Sequence, residues 1–144
     1  MDRYQTINDV LVTLFNDILD IEEKALIIEE FQDISINDMH VMEAVGLQEP
    51  KNMSTVAKAL SVTVGTLTIA VNSLVKKGYV ERVRSVEDRR VVLLSLTEKG
   101  RRAYAHHQRF HENMVHAVVE RLEDQELEVL VKALRYLEDY FRSI

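Results

Sequence analysis

Apolar residues recur at spacings of three and four along residues 5–31, where Ile7, Val10, Leu11, Leu14, Phe15, Ile18 and Leu19 share a face and predict an amphipathic helix. A second helix is predicted over 36–46, capped by Ser35 or Asn37 and stopped by Gly46. Gln48 to Asn52, with Pro50, reads as a loop. Ser54 then predicts the N-cap of a short helix through Leu60, with Val56, Ala57 and Leu60 inward. Thr63 predicts the N-cap of a third helix reaching Lys77, with Leu67, Val71 and Leu74 on one face and Gly78 as its end. Two short helices across a tight break suit a helix-turn-helix.

Beyond Gly78 the period changes. Tyr79 to Arg84 and Val91 to Leu96 are short β-prone runs around the charged segment Ser85-Val86-Glu87-Asp88-Arg89-Arg90, which predicts a hairpin with a charged tip. Thr97 predicts the cap of a long helix to about Leu122, with Ala103, Phe110, Met114 and Val118 inward. A last helix over 124–142 carries the stripe Leu127, Leu130, Val131, Leu134, Leu137 and Phe141. The fold class is therefore mainly α with a small β-wing.

Composition narrows the function. The 144 residues are 47 % hydrophobic and 29 % charged, which is globular, and the absence of cysteine excludes disulfides, thiolate metal sites and cysteine redox switches. No apolar run reaches the roughly 20 residues that span a bilayer. The first residues lack a signal-peptide pattern, so a cytoplasmic protein is expected. No nucleophile motif, phosphate-binding glycine loop or H-E-x-x-H pattern appears, which argues against an enzyme. The net charge of −6 is unevenly spread: −10 over residues 1–50, +7 over 51–102 and −3 over 103–144. Binding to phosphates depends on local positive potential, so the basic middle counts for more than the acidic total.

That basic middle coincides with the helix-turn-helix and hairpin. A helix presented on a small scaffold fits the major groove of B-DNA. With its inner stripe committed to packing, the 64–77 helix leaves Val64, Gly65, Thr66, Thr68, Ile69 and Asn72 outward, beside the capping Thr63. Small and apolar side chains suit close approach to base edges and thymine methyls, and Asn72 has the chemistry to pair with adenine or to reach phosphate. Arg89 and Arg90 at the hairpin tip suit a minor groove, with Asp88 orienting one of them. Lys76, Lys77, Arg82 and Arg84 supply charge for phosphates.

The stretch STVAKALSVTVGTLTIAVNSLVKKGYVERVRSVEDRRVVLLSLTEKGRR resembles the core of the MarR family, whose signature of Asp-x-Arg followed after five residues by Leu-Thr falls on Asp88, Arg90, Leu96 and Thr97. The resemblance implies a winged helix-turn-helix lobe over 35–97 and a helical dimerisation region formed by 1–34 and 98–144. It implies a homodimer on pseudo-palindromic double-stranded DNA, with Arg90 as the minor-groove arginine of the wing. Ser61 stands where the turn often has glycine, and Ile69 where a basic residue is common. The segments DISINDMH, VTVGTLT, KKGYVER, EDRRVV, LSLTEKGRR and RFH are most similar to the family's repressors of fatty-acid-synthesis genes. That resemblance implies a long-chain acyl group on acyl carrier protein as corepressor and no resident cofactor. The acyl chain would lie in a slot lined by Ile18, Ile21, Met39, Met42, Phe110 and Met114. Arg101, Arg102 or Arg109 would meet the acidic carrier.

Five histidines leave an alternative. His107 and His111 are one helical turn apart, a spacing able to chelate a metal. The family's zinc-responsive members imply His40, His107 and His111 as ligands, with Glu22 or Glu23 as a fourth. The same histidines would equally serve as hydrogen-bonding groups between the DNA-binding lobe and the dimerisation helices, and a MarR-type regulator of another small ligand is a further reading.

Overall fold

The computed structural model describes residues 2–26 and 29–144, with the side chain of Glu29 outside the description. It divides into two compact units, residues 1–108 and 109–144, each treated on its own.

In the first unit, Asp2 caps α1 (Arg3–Asp9), accepting from the Tyr4 N–H. A π-helical stretch, Val10–Leu14, joins α1 directly to α2 (Phe15–Leu26). Of the helix predicted over 5–31, the structure describes helix through Leu26 and a 3-10 turn at Glu29–Phe31; Ile27 and Ile28 lie outside the described residues. Ser35 caps α3 (Ile36–Val45) in a reciprocal box with Asp38, and Gly46, at φ 77°, ends it.

The expected loop before the helix-turn-helix contains a strand, β1 (Lys51–Asn52), which pairs antiparallel with β3. The N-cap of α4 (Met53–Leu60) is Asn52 rather than Ser54: the Asn52 amide oxygen accepts from the Thr55 N–H at 2.8 Å. Ser61 then takes the left-handed conformation, at φ 56°, and turns the chain into α5 (Val64–Lys77). The α4 and α5 axes are bent by 106° at this break, within the range of helix-turn-helix pairs. Thr63 caps α5 through the Thr66 N–H, and Gly78, at φ 88°, releases the chain into β2.

The wing is the antiparallel pair β2 (Val80–Arg84) and β3 (Val92–Leu96), in register from Val80 opposite Leu96 to Arg84 opposite Val92. The complete sheet order is β1-β3-β2. Thr97 caps α6 (Glu98–Val119) as expected, its hydroxyl accepting from the Gly100 N–H at 3.1 Å. Leu26, Phe31, Met39, Met42, Val45, Val56, Leu67, Val71, Leu74, Tyr79, Val80 and Leu94 are buried together and lock α2 to α5 onto the sheet. Tyr79 is completely enclosed, yet its hydroxyl finds Asp33 at 2.6 Å. That hydrogen bond is the main cause holding the Asp33 carboxyl below its ordinary range, while burial, then Asp33, push the phenol well above its own.

The second unit holds the last turns of α6, which stops at Val119 rather than near Leu122, and α7 (Asp124–Ser143). Glu123 and Glu126 form the α7 capping box. No α7 residue is buried, and Val131, Leu134, Tyr140 and Phe141 stand exposed.

Candidate nucleic-acid interface

Helix α5 is held by Leu67, Val71 and Leu74, all buried. At 3.6 residues per turn, the positions diametrically opposite are Gly65, Ile69, Asn72 and Lys76, which form one exposed ridge. Ile69 is 75 % exposed, extreme for an aliphatic side chain, and Val64 flanks the ridge at 44 %. The threonines beside it are partly spent on the helix itself. The Thr63 hydroxyl donates to the Thr66 hydroxyl at 3.0 Å, and the Thr68 hydroxyl donates to the Val64 carbonyl at 2.7 Å.

Val80, Arg82 and Arg84 alternate onto one side of β2. Val80 is buried, and Arg82 reaches across to α5, where its guanidinium donates to the side-chain oxygen of Asn72. A guanidinium carries no acceptor, so this contact fixes which end of the amide faces outward. Both residues are candidates on sequence grounds, whereas their contact joins elements that only tertiary packing brings together.

The 85–91 segment between the strands is closed by Ser85 N–H to the Val91 carbonyl and Val91 N–H to the Asp88 carbonyl, both 3.0 Å. Arg84 donates to the Arg89 carbonyl at 3.0 Å. Asp88 does orient an arginine, and it is Arg90: the carboxylate accepts from the Arg90 backbone N–H at 3.0 Å, from Nε at 3.2 Å and from Nη2 at 3.3 Å. The side-chain bond, then the backbone one, holds the Asp88 carboxyl below the usual carboxylate range. The Arg90 side chain remains 91 % exposed, so the pair aims a cation outward. Val86 at the same tip is 98 % exposed and was not singled out from sequence.

Not every lysine of the basic segment is available. Lys77 donates to the Asp33 carbonyl at 2.6 Å and lies 3.9 Å from Asp38. Lys99 sits 4.5 Å above the Tyr79 ring. The outward cations on the ridge and wing are Lys76, Arg84, Arg89 and Arg90, together with Arg82 on Asn72.

The remaining predicted residues lie on α2, α3 and α6. Met39 and Met42 are wholly buried core residues, Ile18 is half-buried and Ile21 exposed on α2, and Phe110 and Met114 are half-buried in the second unit. His40 is exposed and faces a hollow of about 380 Å³ lined by Asn37, Val41, Leu60, Val62 and Leu67. His107 is buried, its Nε2 2.7 Å from Glu43 and 3.3 Å from Glu22. His106 Nε2 is 2.8 Å from the Ala25 carbonyl. These two histidines thus join α6 to α2 and α3; His111 stands one turn beyond His107 and packs edge-on against Phe110. Arg102 pairs with Glu30 at 2.7 Å and Arg101 donates to the Leu47 carbonyl at 3.3 Å, while Arg109 is exposed.

Comparison with known proteins agrees with this architecture. Residues 24–107 match the family model described as transcriptional regulator SarA/Rot. The crystal structure of Streptococcus pneumoniae FabT in complex with DNA is 43 % identical, superimposes with a TM-score of 0.87 and pairs 97 % of this chain with 98 % of that one. A structure titled MarR family transcription regulator SP03579 has the same fold at 17 % identity, a TM-score of 0.78 and coverage of 97 % and 90 %. The HTH-type transcriptional regulator SarZ of Staphylococcus saprophyticus is 36 % identical over 74 residues, 51 % of this chain and 50 % of its own length. The matched regulators of transcription are not enzymes, and the chain belongs to the SarA/Rot family of transcriptional regulators, with a winged-helix fold.

Proposed function

We propose that this chain is a homodimeric DNA-binding repressor of fatty-acid-synthesis genes, with a long-chain acyl group on acyl carrier protein as corepressor. The observation that carries the DNA reading is the pairing of an exposed, buried-face-anchored ridge on α5 with an Asp88-oriented arginine on the wing. Helix and ribbon of this kind fit a major groove and its neighbouring minor groove. The end-to-end similarity to a FabT structure bound to DNA supports the same reading.

Dimerisation is supported by two uncovered apolar faces: Ile7, Leu14 and Phe15 near the start of the chain, and Leu134, Tyr140 and Phe141 on α7. Two copies would set their recognition helices about 34–36 Å apart, one turn of the double helix. The corepressor would act by favouring the spacing that fits DNA, which requires that it bind one spacing better than the other.

The test is a fluorescence-anisotropy titration of the protein on promoter duplexes of fatty-acid-synthesis genes, with unacylated and with long-chain acylated carrier protein, and separately with zinc and no carrier protein. Tighter binding with the acylated form alone is expected. Equal affinity in the two arms removes the corepressor, and enhancement by zinc alone replaces it with the metal-responsive reading.

A further inference from the structure

The ridge Gly65–Ile69–Asn72 holds three features that folding does not explain. Gly65 lies in the first turn of α5 with no left-handed φ, and a methyl placed there would approach only the Thr63 hydroxyl, at 3.8 Å. Alanine would fit, and glycine in a helix is less stable than alanine. The missing side chain therefore has no use inside the protomer. Ile69 exposes 75 % of its surface at the centre of the same ridge. Asn72 accepts from Arg82 at its carbonyl end, which turns its NH2 group outward.

Recognition of adenine by asparagine needs both ends of the amide, one to donate to N7 and one to accept from N6. The bond from Arg82 engages one lone pair of the oxygen and turns the NH2 group outward; an acceptor is present on the major-groove edge of every base pair, so this outward donor discriminates weakly. The one group of the major groove that an aliphatic side chain reads is the thymine C5-methyl.

We propose that Ile69 is the specificity-determining residue of this chain. It recognises thymine methyls in each half-site, seated by the bare backbone at Gly65, while Arg82 holds Asn72 with its NH2 group outward. This rests on the DNA-binding reading above and deepens it.

The test uses the full chain and duplexes selected from a randomised pool. Each thymine is replaced singly by uracil, which deletes only the methyl. Wild-type protein should lose about fourfold in affinity at one thymine per half-site, the worth of one buried methyl. Ile69→Ala should bind the parent duplex more weakly and show no further loss with uracil at that position. Gly65→Ala should melt at a higher temperature yet bind DNA less tightly, which a purely structural glycine would not do. Wild-type affinity that is indifferent to uracil at every position, with selective binding otherwise intact, overturns this proposal and leaves the DNA-binding reading standing. Failure to bind any duplex overturns both.

Discussion

Gly100 is where α6 lands on the sheet, and a single methyl there measures how tightly it does so. A Cβ at Gly100 would stand 2.1 Å from the Tyr79 carbonyl oxygen, 3.1 Å from its carbon and 3.3 Å from the Leu96 Cβ. The first distance is more than an ångström inside ordinary contact. The obstacle cannot rotate away, because it is backbone and because the same oxygen accepts the Thr97 N–H at 3.0 Å. Overpacking a well-filled site costs about 1–3 kcal/mol, and the rigid obstacle puts Gly100→Ala at the upper end. Replacing glycine in a helix returns about 0.5–1 kcal/mol. The net loss is then about 2 kcal/mol, or roughly 4–8 °C in melting temperature for a chain of this size. Thermal and urea denaturation of both proteins at one fixed concentration measure it. A Gly100→Ala variant as stable as the wild type would refute the tight landing of α6 and the packing argument built on it.

Three further outcomes follow from the same geometry. Ser61→Gly relieves a left-handed residue in the helix-turn-helix and should stabilise the protein by about 0.5–1 kcal/mol in urea titrations; destabilisation would mean that the serine side chain contributes there. Tyr79→Phe removes the donor that holds the Asp33 carboxyl low and should cost about 1–2 kcal/mol at neutral pH. A depressed carboxyl stabilises above its ordinary value, near 3.9, and loses that contribution as pH falls through the folded value, so the two proteins should converge in strong acid; a gap undiminished there contradicts the assignment. Arg90→Ala should weaken operator binding by about 1–3 kcal/mol in gel-shift titrations, and unchanged affinity would remove the wing from recognition.

Much of this fold is legible wherever a local rule is strong. Ser35, Thr63 and Thr97 announce helix starts through side-chain oxygens, Gly78 ends α5, and the change from helical to strand periodicity at Tyr79 marks the wing. Asn52 and Ser54 are both good caps two residues apart, and the choice between them is made by β1, a two-residue strand that exists because β3 lies alongside. The π-helical stretch Val10–Leu14 and the 3-10 turn Glu29–Phe31 leave no mark in the apolar spacing. At the candidate interface, the Asp88–Arg90 pair is readable because it is local in sequence. The Arg82–Asn72 contact is not, since it depends on how β2 crosses α5. The internal engagement of Lys77, by Asp33 and Asp38, is likewise a tertiary fact.

The central claim is that the α5 ridge and the arginine-tipped wing grip a double helix, and the salt dependence of duplex binding tests it most directly. The logarithm of the affinity should fall linearly with the logarithm of salt concentration, by about 0.9 for each phosphate neutralised, and Lys76→Ala should flatten the slope. An affinity that does not change with salt, or one that Lys76→Ala leaves with the same slope, would contradict it.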